Sequence, residues 1–402
     1  MALTPLTSLD VSGRRLAVRA DLNVPLTETG VGDATRIARF AKGMIPLLDE
    51  GARLIVLSHL GRPNGDMTPA LSLRRIKGAL AEALGRPVIF NETAAGAMAE
   101  RASELLEPGQ VLLCENLRFE HGEERNDPRL GQQLAALGDI YVNDAFSCSH
   151  RAHASTTSAI QAAARPAAGP LMMEELAALE GALVDPQYPS VALIGGGSVA
   201  PRLGVLKRLV RKLDTILVGG GLANALLFAK GYGIGRSYIE TELADEILEI
   251  AALAMVSGCE IVLPEDIVVA SVQYPGAEAR ALPLAGCPAN GRILDIGPNT
   301  VERYREILRG ARTILWNGPL GTYETPPFDT ATNALAQSVA ELTRAGLCVS
   351  VAGGGDTLVA LNRAGVTNDF TYVSTAGGAF LEWLEGRRLP GIAALERTEH
   401  AA

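Results

Sequence analysis

Short apolar runs rich in Val, Ile and Leu alternate with helix-forming stretches along the whole of this chain. No other feature constrains the fold as strongly. A strand buried on both faces reads as an unbroken apolar run, and such runs separated by helices read as parallel strands joined by crossover helices. The runs at 16–18, 53–57, 88–90, 111–114 and 140–142 predict one parallel sheet, and those at 191–194, 215–218, 260–263, 314–316, 348–351 and 371–373 predict a second. The expectation is an α/β protein with two doubly wound parallel-sheet domains. At 402 residues the chain exceeds one ordinary core, which agrees with two domains of comparable size. Between the two sets of strands, residues 161–170 ("QAAARPAAGP") carry little periodicity and precede a helix expected over 172–183. The boundary is placed there, with a first domain over 1–165 and a second over 171–385.

Composition narrows the class. Apolar residues make up 48% of the chain, aromatic residues only 4%, and there are 43 glycines, a profile of an Ala/Leu/Val/Gly-rich α/β enzyme rather than an aromatic-rich β-sandwich. A formal net charge of −9 argues against an electrostatic hold on nucleic acid or an anionic membrane, so any anion site must be a local basic cluster. The five cysteines (Cys114, Cys148, Cys259, Cys287 and Cys348) are scattered without C-x-x-C spacing, which indicates neither a disulfide framework nor a zinc site and fits a reducing cytoplasm. The opening "MALTPLTSLDVSGRR" lacks a signal-peptide core, and no run of 18 uncharged apolar residues occurs. No internal repeat is visible.

In open α/β sheets ligands bind beyond the carboxyl ends of the strands, so the residues just after each strand carry the chemistry. In the first half these are Asp21 and Asn23, "SHLGRP" with His59 and Arg62, "ENLRF" with Arg118, and "NDAFSCSHRAH" with His150, Arg151 and His153. Arg36 from "DATRI" adds a fifth segment. A lone histidine or arginine would be an ordinary surface or core residue; their convergence on one rim predicts a site for a small phosphorylated acid, which the planar guanidinium fork binds bidentately. The second half instead ends strand after strand in glycine: Gly195 to Gly197, Gly219 to Gly221, "WNGPLGTYE", "AGGGDT" and "STAGGA". Any one of these could be a tight turn without a ligand. Their repetition, with Asp356 and Thr357 opening a helix, points to a nucleotide and to Mg²⁺, which favours one or two carboxylates plus phosphate oxygens. "SVALIGGGSVAPRL" in particular reads as a strand, a glycine turn and a helix that offers its N-terminal N–H groups to a phosphate. No G-x-x-x-x-G-K-[ST] pattern occurs. A G-x-G-x-x-A match at Gly195, Gly197 and Ala200 lacks the acidic residue that dinucleotide binding needs after the next strand, so a dehydrogenase is disfavoured.

The chain resembles the phosphoglycerate kinase family from end to end. The matching segments are "VRADLNVPL", "DATRI", "LSHLGRP", "ENLRF", "YVNDAF" with "HRAHAST", "ILVGGGLANALL", "LPEDIVVA", "LDIGP", "WNGPLG", "VAGGGDT" and "YVSTAGGAFLEWLEGRRLPG", which span nearly all of residues 10–393. The resemblance implies two Rossmann-like domains facing across a hinged cleft, with 386–402 packing back on the first. It implies reversible phosphoryl transfer between 1,3-bisphosphoglycerate and MgADP, giving 3-phosphoglycerate and MgATP, by a cytoplasmic monomer. It assigns Asp21, Asn23, Arg36, His59, Arg62, Arg118 and Arg151 to the phosphoglycerate. To the nucleotide it assigns Gly196, Arg202, Gly219, Gly220, Asn317, Pro319, Glu324 (ribose), Gly353, Gly354, Gly355, Asp356 and Thr357, with Asp356 at the metal. Arg36, Arg202, Gly377 and Gly378 fall to the transfer step. The attacking oxygen is anionic in both directions, so no general base is needed and the histidines are binders.

One position departs from the family, whose segment normally reads G-G-A-K-V-x-x-K. Here residues 195–202 read "GGGSVAPR", with Arg202 at the second lysine position and Ser198 at the first. The family's first lysine is thought to follow the migrating phosphoryl group, and serine supplies no positive charge. The chain is therefore expected to be a working but slowed kinase, a ligand-binding relative without efficient turnover, or an otherwise ordinary enzyme with a local change. Pro201 falls in the first helical turn, where a missing N–H is tolerated. The polar tail after Leu395 is expected to fray.

Overall fold

The structure, a computed structural model, describes residues 3–28 and 30–396. The rest of the tail expected to fray lies outside the described residues. The chain divides into two compact units, one of residues 1–176 with 388–402 and one of 177–387.

The first unit is built on β1 (Arg15–Arg19), the short pair β2 (Leu26–Thr27) and β3 (Gly30–Val31), β4 (Arg53–Leu57), β5 (Val88–Asn91), β6 (Val111–Cys114), β7 (Ile140–Asn143) and β8 (Pro166–Ala168). Its six-stranded sheet runs β5-β6-β4-β1-β7-β8 with every pairing parallel. The covering helices are α1 (Thr35–Asp49), α2 (Lys77–Leu84), α3 (Ala97–Glu104), α4 (Pro128–Ala135) and α5 (Ala159–Ala162). On α1, Ile37, Phe40, Ala41, Met44, Leu47 and Leu48 recur at helical spacing and bury one stripe in the core that includes Leu16, Val18, Leu54 and Val56. That packing aims the first turn of α1, with Arg36, at the carboxyl end of the sheet.

The second unit holds β9 (Ser190–Ile194), β10 (Thr215–Val218), β11 (Glu260–Val262), β12 (Asp266–Ala270), β13 (Arg280–Pro283), β14 (Arg292–Ile296), β15 (Thr313–Asn317), β16 (Val349–Gly353) and β17 (Tyr372–Ser374). A six-stranded parallel sheet runs β11-β10-β9-β15-β16-β17. Helix α6 (Pro170–Leu183) enters this unit, followed by α7 (Ala200–Leu209), α8 (Gly220–Ala229), α9 (Ala244–Ser257), α10 (Pro298–Gly310), α11 (Thr330–Arg344), α12 (Gly355–Arg363) and α13 (Gly378–Glu385). Helix α7 forms despite Pro201, which occupies its first turn. No helix among the described residues is long and apolar enough to cross a membrane.

Two features differ from the expectation. Residues 161–170 are not a bare linker: Pro166–Ala168 adds β8 at the sheet edge, where a proline without an N–H is tolerated, and the units divide inside α6 between Leu176 and Ala177. The second unit also carries an antiparallel sheet, β13-β12-β14, in which a buried β12 is flanked by a mostly exposed β13 and a partly exposed β14 that lack the continuous apolar signature. The chain then returns: α14 (Pro390–Glu396) belongs to the first unit, where the Gly391 N–H donates to the Ser149 carbonyl at 2.9 Å.

Backbone meets backbone where β9, β10 and β15 end. The Gly196 N–H donates to the Pro319 carbonyl at 2.7 Å, Gly220 to Leu320 at 2.8 Å and Gly221 to Gly196 at 2.8 Å. A Cβ on Gly195 would stand 2.0 Å from the Pro319 oxygen, and one on Gly221 would stand 2.2 Å from the Gly197 oxygen. Gly196 and Gly318 also require positive φ, +98° and +92°. Two buried carboxyls brace neighbouring segments. Asp144 accepts from the Leu171 N–H at 2.7 Å and caps α6, and burial pushes it up to about 7. Asp295 accepts from Ile296 at 2.9 Å and Ala331 at 3.0 Å, joining β14 to α11, and burial pushes it up to about 8.

Gly221→Ala should destabilise the chain by about 1–3 kcal/mol through this clash. Gly197→Ala, whose Cβ meets nothing within 4 Å, should stay within about 0.5 kcal/mol, as urea midpoints would report. Asp295 has a folded pKa raised above its ordinary 3.8, so its contribution is full below 3.8 and is lost as pH rises through about 8. Asp295→Asn should therefore gain melting temperature relative to the natural chain on going from pH 5.5 to pH 9; an unchanged difference would refute this.

Candidate functional site

Four adjacent strands of the first unit, β6-β4-β1-β7, end in the turns that the sequence singled out. Asp21 follows β1, and its carboxylate accepts from Arg36 Nη1 at 2.6 Å and from Ser147 Oγ at 2.5 Å. Burial raises the Asp21 carboxyl, but Arg36, the Ser147 hydroxyl and Arg19 outweigh it and hold the group below its ordinary value. Arg36 Nη1 also donates to the Asn23 carbonyl at 3.2 Å, while the Asn23 side-chain oxygen accepts from the Gly61 N–H at 2.9 Å. The turns after β1 and β4 are thus tied together.

His59 is buried, and Arg19 Nη2 lies 3.1 Å from its Nδ1. A guanidinium can only donate, so Nδ1 accepts and the ring proton sits on Nε2. Burial and then Arg19 push the imidazole well below 6.5, so it is neutral at pH 7. Arg118 is held by the Gly61 carbonyl at 2.6 Å and by Glu124 at 3.1 Å. Arg151 donates from Nε to His150 Nε2 at 3.2 Å, and Arg62 is exposed with no ion pair among the described residues.

Asp21, Arg36, His59, Arg118 and Arg151 act on one another, but the histidines do not act as one group. His153 is buried 3.8 Å from Glu123, with burial and then Arg118 lowering it to about 4. It belongs to the support behind the rim. Sequence reasoning missed Arg19, which is 1% exposed and donates from Nε to Ser155 Oγ at 2.9 Å. A basic residue inside an apolar strand was its only signal. Asp21, His59 and Cys148 offer donors within 4.8 Å of one another. Arg19, Arg36 and Arg118 surround them, Arg19 occupies the imidazole Nδ1, and burial pushes the Cys148 thiol up, so the arrangement suits an anion rather than a metal ion.

In the second unit a cavity of about 770 Å³ opens at the sheet's carboxyl end, lined among others by Gly196, Gly220, Pro319, Tyr323, Glu324 and Asp356. Gly219 does not offer an open face, since its Cβ would meet Leu320 at 2.6 Å. Asn317 donates from Nδ2 to the Gly353 carbonyl at 2.8 Å, and its buried Oδ1 has no partner. Thr357 Oγ1 accepts from the Gly318 N–H at 2.7 Å, which fixes the first turn of α12 against the turn after β15. Gly353 is closed by the Phe380 ring, Gly354 has φ +104°, and Gly355 and Gly377 meet nothing within 4 Å. Gly378 opens α13.

Asp356 is exposed on the first turn of α12, with the Tyr323 phenol hydrogen-bonded to it. One exposed carboxylate at a helix start beside a cavity fits Mg²⁺ that takes its other ligands from phosphates and water.

The turn after β9 corrects one expectation. Four of its N–H groups are already engaged: Gly195 donates to Asn317 at 3.0 Å, Gly196 to Pro319, and Val199 and Ala200 donate to the Glu240 carboxylate at 3.0 and 2.9 Å. Arg202 folds back over Gly196, where a Cβ would stand 2.3 Å from Nη2, and donates from Nη1 to the Ser198 carbonyl. Ser198 itself is exposed, and no cation stands in for the family's lysine on the same residue.

Residues 6–387 match the family model for phosphoglycerate kinase. A curated phosphoglycerate kinase from Rhodospirillum centenum is 50% identical over 395 residues, covering 98% of this chain and 100% of that protein. One from Azorhizobium caulinodans is 51% identical over 393 residues, covering 98% of each. Among solved structures, phosphoglycerate kinase from Coxiella burnetii aligns with TM-score 0.91 at 39% identity, over 99% of this chain and 100% of that one. The enzyme from Pyrococcus horikoshii aligns with TM-score 0.81 at 28% identity, over the full length of both. The chain belongs to the phosphoglycerate kinase family.

Proposed function

We propose that this chain transfers a phosphoryl group reversibly between 1,3-bisphosphoglycerate and MgADP, giving 3-phosphoglycerate and MgATP. The observation that carries the reading is the rim of Arg36, Arg62, Arg118 and Arg151 around a neutral His59. Arg62 and Arg151 present guanidinium forks to the phosphate of phosphoglycerate. Asp21 and Asn23 hold the turns and Arg36 in register, and His59 donates from Nε2 rather than accepting a proton. That role agrees with the chemistry, because an acyl carboxylate or a β-phosphate oxygen attacks without deprotonation.

On the nucleotide side, Gly196, Gly220 and Pro319 wall the cavity, Glu324 meets the ribose, and the first turn of α12, from Gly354 to Thr357, faces the phosphates. Gly219 and Gly353 serve by letting backbone and the Phe380 ring approach closely. Asp356 would hold Mg²⁺, which would supply positive charge against the phosphates. Arg36, Arg202 and the N–H groups at Gly377 and Gly378 stabilise charge on the equatorial oxygens in the transfer step. Transfer requires donor and acceptor in line with water excluded. The reading extends to a monomer in a reducing cytoplasm, where all five cysteines remain free thiols.

Ser198 favours slowed turnover. Loss of one preorganised donor of this kind costs on the order of 10²- to 10³-fold in rate, about 3–4 kcal/mol. A coupled assay with MgATP and 3-phosphoglycerate at saturation should show measurable turnover, raised by about 10²-fold in Ser198→Lys. A gain under about tenfold would mean that Arg36 and Arg202 already cover the phosphoryl group. Activity that appears only with the lysine would identify a protein that binds without turnover, and no activity in either would overturn the reading. Because His59 stays neutral, KM for 3-phosphoglycerate should not fall on going from pH 8 to pH 6. A KM that falls toward pH 6 would show that His59 binds as a cation.

A further inference from the structure

The anion at the start of α7 belongs to the chain itself. Glu240 Oε2 accepts from both Val199 and Ala200, taking two of the N–H groups that a helix leaves without intrahelical partners. A carboxylate there is favoured by the helix dipole, as a phosphate would be. Glu240 also acts electrostatically on Arg202, together with Asp356, without forming an ion pair to it. Arg202 lies over Gly196, which lines the cavity, and its buried Nε has no partner. Among the described residues, only the N–H groups of Gly197 and Ser198 in this turn lack an acceptor. The segment leading to Glu240 contributes Arg236, Tyr238 and Ile239 to the same cavity. One carboxylate therefore joins a cavity wall to the helix that carries Arg202.

We propose that Glu240 is a resident counter-anion of the nucleotide site, a positioning residue that occupies the α7 N-terminus and competes with nucleotide phosphates for the field of Arg202. The inference rests on the reading of this cavity as the nucleotide site. Its consequence is selective: Glu240 weakens binding in proportion to phosphate charge and leaves the nucleoside untouched. The carboxylate thereby limits how tightly a triphosphate is retained, where a site lacking it would hold product longer.

The test is calorimetric titration of adenosine, ADP and ATP, each with Mg²⁺, into the natural chain, Glu240→Gln and Glu240→Met. Removing one charge several ångströms from the phosphates should tighten ADP and ATP by roughly three- to tenfold, ATP more than ADP. Adenosine should stay within about twofold. Equal shifts for all three ligands, or none, would make Glu240 a structural cap and overturn the proposal. So would melting of both neutral variants below the titration temperature. Binding of none of the three to the natural chain would instead remove the nucleotide reading, and this inference with it.

Discussion

Three turns of the second unit stand backbone against backbone, and the candidate nucleotide site depends on that contact. The turns after β9, β10 and β15 exchange hydrogen bonds among Gly195, Gly196, Gly220, Gly221, Asn317, Pro319 and Leu320. Side chains on Gly195, Gly221 or Gly318 would stand 2.0–2.3 Å from carbonyl oxygens. Much of the glycine content at these strand ends therefore serves protein against protein, and only part of it faces a ligand. The result is a floor of fixed carbonyls and amides beneath the cavity, with Thr357 and Asn317 tying α12 to the same body. Such a floor needs no reorganisation when a nucleotide arrives, which is what electrostatic preorganisation requires.

The first unit reaches preorganisation by another route. Arg19 is buried beneath the rim, bonded to Ser155 and His59, and burial together with Arg19 keeps the imidazole neutral. Arg36 and Ser147 hold Asp21 as a carboxylate, so a negative charge is fixed among the arginines and keeps Arg36 in place before substrate is present. Arg62, by contrast, is exposed with no ion pair among the described residues, and Arg151 donates to a neighbouring histidine rather than to a carboxylate. Phosphoglycerate kinase chemistry asks for binding and alignment rather than proton transfer, and the rim supplies donors without a base.

Both parallel sheets were legible because buried parallel strands are written as unbroken Val/Ile/Leu runs. The candidate rim residues other than Arg36 were legible because each follows such a run, and Arg36 because it opens the helix after the first of them. What escaped was written with weaker local signals. Pro166–Ala168 looked like a linker, since its edge position tolerates a proline. In the β13-β12-β14 sheet the flanking strands "RALP" and "RILDI" interrupt apolar residues with charged or proline positions. Arg19 was hidden inside an apolar strand, and Glu240 stands far along the chain from the helix it caps.

The sequence by itself determined the layer order, the strands that end at each site and the family, because these rest on local periodicity and on motifs of fixed spacing. It also exposed the missing lysine at Ser198. Only the tertiary structure decided which groups are already engaged: that the N–H groups of Val199 and Ala200 hold Glu240, that burial and Arg19 keep His59 neutral, and that Asn317 retains a buried oxygen without a partner. Hydrogen bonds and burial between segments distant in sequence leave no local periodicity, so the state of each group emerges only when the strands bring their ends together.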